Sequence, residues 1–384
     1  VKYALPDYQE ARIVKTGYVW HERYAWHDTG TFAGLVPPSA SVQPFQNFES
    51  PESKVRFHSL VEVSGLLSKL QRIEPRIASD EDILRVHTRE HLSYLSAQSE
   101  LRMGDAGDGW SPFGHKGLDI ARLAAGGTIA ATEAVVGGHV RNAYALVRPP
   151  GHHAVRDTGM GYCLLANIAI AIEWARKHEG VGRVAVVDYD VHHGNGTQSV
   201  FYSDPDVLTI SVHQDRLFPK DSGFVGETGE GKGKGSALNI PLPSGSGNGA
   251  YQAVFDQVVL PAISDFKPDL IMVASGFDAA GFDPLGRMNV TAAGFRAMTA
   301  QLVAIADELC GGRLVMSHEG GYSPVYVPYC GLAVLEALAG EETGVPDPFA
   351  FVLEDSPAQT LKNWEGKVIA EARDIALLMG MIAG

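Results

Sequence analysis

An α/β fold, with a mostly parallel central sheet covered by helices on both faces, is predicted by three observations. Short, nearly continuous apolar runs recur along the chain, as strands buried on both faces require. Longer stretches of helical periodicity separate them. The residues able to do chemistry follow directly after the apolar runs, at the edge where open parallel sheets build their sites.

Taken in order, residues 1–60 are rich in aromatics and proline and read as an irregular, peripheral segment. Leu118 to Val136 has helical periodicity. Val140 to Val147 reads as a strand, followed by the loop Arg148-Pro149-Pro150-Gly151-His152-His153. Cys163 to His178 reads as a helix. Arg183 to Asp190 (RVAVVDYD) is an apolar strand ending in carboxylates, and Val207 to Val212 is another strand. Tyr251 to Ile263 and Ala292 to Leu309 read as helices. Pro268 to Ser275 (PDLIMVAS) and Arg313 to His318 (RLVMSH) are further strands, the last running into Glu319-Gly320-Gly321-Tyr322. No repeat and no linker divides the chain. One domain over 1–384 is therefore expected, with 1–60 and 340–384 as peripheral loops and helices. The run Gly226 to Gly235 (GETGEGKGKG) reads as a mobile surface loop.

Composition narrows the function classes. The formal net charge is −14, which disfavours nucleic acid as a ligand because phosphate binding needs clustered Lys and Arg. The three cysteines, Cys163, Cys310 and Cys330, are far apart and form no C-x-x-C pair, so neither a disulfide framework nor a thiolate zinc site is expected. No stretch reaches the length of a membrane span, and Val1 to Gly17 has no apolar core of signal-peptide length. These features predict a cytoplasmic protein with no membrane partner.

Two stretches concentrate the chemistry. Arg148 to His153 and Asp188-Tyr189-Asp190-Val191-His192-His193-Gly194 together supply four histidines and two carboxylates, a set suited to a borderline metal with imidazoles left for proton transfer. Asp188, Asp190 and His192 are two apart, so extended backbone points them to one side. Asp190 and His192 are candidate ligands, and Asp278, after the apolar run 268–275, fits as a third. Such a set leaves a coordination position open, as catalytic zinc requires. Each residue alone is better explained as a surface acid or a strand-end cap; their joint placement after strands is not. A two-metal site would favour Asp-x-His-x-Asp, and Gly194 stands where its last carboxylate would be. His152 and His153 supply a base close by.

Other motifs fail. Gly231-Lys232 is followed by Gly233 rather than Ser or Thr, so Gly226 to Gly235 is no phosphate loop. Gly245 to Ala250 fits G-x-G-x-x-A as a lone, weak match. No G-x-S-x-G elbow occurs.

The chain resembles the zinc-dependent histone deacetylase and acetylpolyamine amidohydrolase family, in particular its bacterial, class II-like amidohydrolases. The likeness spans about Gly17 to Leu338 and is carried by RPPGHHA (148–154), GYCLLANIAIA (161–171), VDYDVHHGNGTQ (187–198), ISVHQD (210–215), SGFDAAGFDPLGRMNVT (275–291) and EGGYSP (319–324). The resemblance implies the arginase/deacetylase fold. It also implies one zinc on Asp190, His192 and Asp278, with His153 as general base and then acid. His152, held by Asp188, assists; Tyr322 is the carbonyl and oxyanion donor, and Asn195 stands beside His153. It further implies structural potassium at an inner site (Asp188, Asp190, His192, Ser211, Val212) and an outer one (Phe201, Asp204, Val207). The substrate channel would run by Gly161 between Tyr162 and Phe218; many relatives have Phe where this chain has Tyr162. Leu285 falls where a polyamine-specialised branch carries an acid and leans against that specialisation. Asp105 and Asp108 are candidate rim acids. The expected substrate is an acetylated amine, either acetyl-lysine-like or small. The rivals are an amidohydrolase or esterase for another acyl compound such as an acetylpolyamine, and a non-catalytic zinc-containing binding protein. Tyr322 speaks against the last, because a mere binder needs no oxyanion donor. Extended loops allow a homo-oligomer.

Overall fold

The computed structural model describes residues 15–383; the sequence reading of residues 1–14 lies outside them. Eight strands form one parallel sheet: β1 (Gly17–Val19), β2 (Gln71–Ile73), β3 (Asn142–Ala145), β4 (Val184–Asp188), β5 (Val207–Gln214), β6 (Ala237–Leu242), β7 (Leu270–Ser275) and β8 (Leu314–His318). Their spatial order is β6-β5-β4-β7-β8-β3-β1-β2, with every neighbouring pair parallel. β4, β7 and β8 are buried throughout, which is why each reads in sequence as a continuous apolar run. Two apolar layers flank the sheet. One gathers Ile168, Ile172 and Leu123, and the other gathers Phe295, Leu302 and Val334. This is the arginase/deacetylase fold.

Register places the chemistry. Asp188 pairs with Ala274 and with Ser211, and Ser275 pairs with His318. The carboxyl ends of β4, β7 and β8 therefore finish level with one another. Beneath them lies a buried polar layer: the Tyr189 hydroxyl is 2.8 Å from Ser275 Oγ, and the Tyr144 hydroxyl is 3.1 Å from His318 Nδ1.

Four expectations need correction. Residues 15–60 are peripheral only in part: 35–46 are irregular and mostly exposed, but the flanking stretches are built into the core. β1 is an interior strand between β3 and β2, and the helix Glu52–Val63 buries Ser53, Lys54, Phe57 and Val61. The helix expected from Cys163 begins at Asn167, because Gly161 and Tyr162 have positive φ and the turn is pinned where His87 Nε2 accepts the Ala166 amide (2.9 Å). The helix over 251–263 widens to a π turn at Phe255–Val259, just before Pro261, which has no amide proton for the ladder. Finally, Gly226 to Gly235 is anchored: Thr228 is buried, Gly235 N donates to the Thr228 carbonyl (2.6 Å), and Glu227 accepts from Gln198 Nε2 (2.7 Å).

Behind the sheet end, the Arg148 guanidinium grips the buried carboxylate of Glu49, with Nε 2.8 Å from Oε1 and Nη2 2.7 Å from Oε2. Its Nη1 donates to the carbonyls of Tyr24 (3.0 Å) and His27 (2.6 Å). Breaking such a pair from one side costs about 3–5 kcal/mol, so it fixes the segment 24–49 against the loop that carries His152.

Candidate active site

The loops that follow β3, β4, β7 and β8 converge on one buried cluster. His192 Nδ1 lies 3.0 Å from Asp190 Oδ1 and 3.1 Å from Asp278 Oδ2. One ligand atom from each of these residues lies within 4.8 Å of the others. The carboxylates are aimed from behind: Gly320 N donates to Asp190 Oδ2 (2.8 Å) and Val191 N donates to Asp278 Oδ1 (2.8 Å). Gly320 forms the floor, since a Cβ there would stand 2.1 Å from Asp278 Oδ2 and 2.6 Å from Asp190 Oδ2. Burial, then the Asp190 charge, raises the Asp278 carboxyl to about 7. Burial disfavours a charged His192, yet hydrogen bonds to Asp190 and Asp278 hold it up at about 10. Two buried carboxylates forced together around one imidazole are a charge excess that a divalent cation neutralises, and an O,O,N donor set suits zinc.

The adjacent imidazoles are differentiated by their partners. His152 Nδ1 lies 2.9 Å from Asp188 Oδ2. Burial opposes its cation, but Asp190 and Asp188 raise its pKa well above the ordinary value. His153 Nδ1 lies 2.7 Å from Asn195 Oδ1; the amide oxygen can only accept, so Nδ1 carries the proton and Nε2 is left basic. Burial, then His152 and His192, hold the His153 pKa well below the ordinary range. The two rings lie 4.0 Å apart.

The residues expected to wall a substrate channel stand next to these imidazoles. The Phe218 ring stands edge-on to His153 at 4.9 Å. Gly161 has φ +54, and a Cβ there would meet His153 Cδ2 at 2.4 Å and Phe218 Cε1 at 2.9 Å. Tyr162 takes φ +69, costly for a bulky residue. Its ring lies 6.0 Å from that of Tyr322, and its buried hydroxyl has no hydrogen-bond partner. Tyr322 N donates to Asp283 Oδ2 (2.8 Å), while Asp283 Oδ1 accepts from Leu285 N (2.8 Å). Leu285 thus sits, half-buried, in the loop that holds Tyr322.

Other expected site residues are placed differently from one another. Asp105 accepts from the amides of Gly107, Gly109 and Ser111, so this carboxylate staples its own loop. Asp108 Oδ2 accepts from Gly161 N (2.9 Å) and Ser111 Oγ (3.0 Å); it braces the turn that carries Gly161 and Tyr162. Ser211 lies opposite Asp188 in register, and Val212 follows it in β5. Phe201 is buried, and the Asp204 carboxylate is paired with Arg176 Nη1 at 2.6 Å; Val207 opens β5.

Several residues in the site escaped the sequence reading: Glu49, Lys54, Asp283, Cys163 and Glu319. Glu319 Oε2 accepts from the amides of Gly151 (2.6 Å) and His152 (3.0 Å), and burial raises its carboxyl to about 7. Cys163 Sγ accepts from His153 N (3.4 Å) and groups with His152 and Glu319; burial pushes the thiol well up, so it stays neutral. Among the described residues all three cysteines are free and buried, and no helix is long and apolar enough to cross a membrane.

A family profile for the Histone deacetylase domain matches residues 48–338. The chain is 48% identical to the histone deacetylase-like amidohydrolase of Pseudomonas aeruginosa, over 93% of this chain and 95% of that protein. It is 39% identical to a probable deacetylase of Archaeoglobus fulgidus, over 85% of this chain and 86% of that protein. Its fold superposes on the crystal structure of the HDA15 HD domain with a TM-score of 0.82 at 32% identity, covering 95% of each chain. The cluster built on Asp190, His192, Asp278, His152 and His153 therefore stands in a chain that belongs to the histone deacetylase family.

Proposed function

We propose that the protein is a zinc-dependent deacetylase that hydrolyses an acetylated amine, acetyl-lysine-like or related, to the free amine and acetate. The observation that carries this reading is the joint burial of an Asp₂His cluster beside an imidazole whose Nε2 is free and basic. Asp190, His192 and Asp278 would hold the zinc ion, which when bound supplies Lewis-acid polarisation of the amide carbonyl and of water. His153 Nε2 takes a proton from the attacking water and returns it to the leaving nitrogen, so that one water is consumed and the amide C–N bond breaks. His152, held as a cation by Asp188, stabilises negative charge without moving the proton. The Tyr322 hydroxyl donates to the carbonyl oxygen as charge develops there. Phe218 and Tyr162 flank the apolar stem of the substrate and keep water from it. Asp188 and Ser211 of the inner site, and the backbone around Phe201 to Val207, are proposed to hold potassium and stiffen this corner. The whole of 1–384 is proposed to act as one domain.

The test is release of a fluorophore from acetyl-lysine and trifluoroacetyl-lysine amides with and without a chelator. Loss of turnover on chelation and its return with zinc are expected; chelator-insensitive turnover would overturn the metal mechanism. A panel of acetyl-lysine peptides, acetylpolyamines and small N-acyl compounds ranked by kcat/KM separates the substrate classes.

Asn195 offers a sharper check. A neutral amide on Nδ1 leaves the His153 pKa low, so the base is already unprotonated at neutral pH. A carboxylate there would favour the imidazolium and raise that pKa. Asn195→Asp is therefore expected to move the acidic limb of the kcat/KM profile to higher pH, with the loss largest on the acid side. An unmoved limb would discard this account.

A further inference from the structure

Glu49, Arg148 and Lys54 are all essentially inaccessible, at 0%, 1% and 1% exposure. Arg148 alone already satisfies Glu49 with a forked pair. Lys54 Nζ adds a longer contact to Glu49 Oε1 (3.3 Å). Burial lowers the Lys54 pKa from the ordinary lysine value, while Glu49, and Asp278 at longer range, support its ammonium; with Lys54 charged, these three side chains are two cations and one anion, one positive charge in excess. The neighbouring imidazoles do not change that. His27 is lowered to about 3 by burial and then by Arg148, and His318 is held well below its ordinary value by burial and then by Lys54. Burying a spare ammonium is expensive, and neutralising Glu49 does not require it.

The excess charge faces Tyr322. Lys54 Nζ lies 5.3 Å from the centroid of the Tyr322 ring and 3.4 Å from the Gly321 carbonyl. That carbonyl also accepts from Ser53 Oγ at 2.8 Å. The peptide preceding Tyr322 is thus held by the first turn of helix Glu52–Val63, and Asp283 holds the Tyr322 amide from the other side. A cation on the face of a phenol draws electron density from the ring, which makes its O–H a stronger donor to an oxygen that gains charge. An effect of this kind grows as the reaction proceeds and acts on kcat rather than on ground-state binding.

We infer that Lys54 is a positioning residue for the hydrolysis, its buried ammonium orienting Tyr322 and strengthening the hydrogen bond that the Tyr322 hydroxyl gives to the developing oxyanion. The inference rests on the role proposed for Tyr322. It adds to the site a residue from a segment that carries none of the family-like motifs.

The experiment is a double-mutant cycle on the zinc-loaded full chain, assayed with a trifluoroacetyl-lysine amide. Lys54→Met keeps the bulk, removes the charge and leaves Glu49 paired with Arg148. It is expected to lower kcat about tenfold, with KM within about twofold of the parent's and zinc content unchanged. Lys54→Arg should recover most of the loss. In a Tyr322→Phe background the same Lys54→Met change should cost little more, because the hydroxyl it serves is gone. A Lys54→Met enzyme as fast as the parent overturns the inference, and so does an undiminished tenfold loss on top of Tyr322→Phe. Should Lys54→Met fail to reach the parent's Tm, the comparison of Lys54→Arg with Lys54→Gln in both backgrounds decides by the same criteria. A Tyr322→Phe enzyme with the parent's kcat identifies a different failure, that of the Tyr322 assignment itself, and removes the inference with it.

Discussion

Asp278→Asn is expected to purify as a folded chain that retains less than about a tenth of the parent's zinc after dialysis and loses roughly a thousandfold or more in kcat/KM. The substitution is chosen for its conservatism. The amide oxygen can still accept from Val191 N, as Asp278 Oδ1 does at 2.8 Å, so the loop after β7 keeps its shape. What disappears is a carboxylate that burial and the neighbouring Asp190 charge already disfavour, as the raised Asp278 carboxyl shows. A buried carboxylate whose pKa is raised by folding destabilises the metal-free state above its unfolded pKa. Near neutral pH the variant should therefore melt no lower than the parent stripped of metal. Metal analysis and thermal melts check both halves. Full zinc content in Asp278→Asn would exclude this residue as a ligand.

His153→Ala is the second large effect. Removing the group that takes and returns the proton is expected to lower kcat by roughly 10³-fold or more, while zinc content stays at the parent's level because His153 hydrogen-bonds through Nδ1 to Asn195 and meets the proposed ligands only through ring packing on His192 at 5.8 Å. His152→Ala should show a smaller loss, since its ring is committed to Asp188. Equal losses in the two variants would mean that the division of labour between the imidazoles is wrong.

The interior strands β3, β4, β7 and β8 were legible to within two residues, because full burial writes an apolar run directly into the sequence. The short strands β1 and β2 have three residues each, too few for any period. β6 carries Asn239 and Pro241, and proline reads as a breaker although an edge strand tolerates it. Helix Glu52–Val63 was hidden because its pattern is inverted: Val63 is 76% exposed while Lys54 is 1% exposed. The metal and imidazole candidates were legible because each lies in a contiguous motif just after a strand. Lys54 and Glu49 were not, because they reach the site only through the fold; Asp283 stands inside the motif 275–291, but the Tyr322 amide that it holds lies 39 positions away in the chain. Lys54 meets Gly321 across 267 positions of chain, a pairing to which no local pattern points.

One of the two edge strands, β6, is buried on almost every residue although it has only one strand neighbour. Its cover is the helix Asn363–Leu378, which packs against it through a face that buries Ile369, Ala372 and Ala376. That helix lies wholly beyond residue 338, where the family match stops. A chain trimmed to the matched segment would thus bare a greasy flank and an open β-edge together, the combination that invites one molecule to stick to the next.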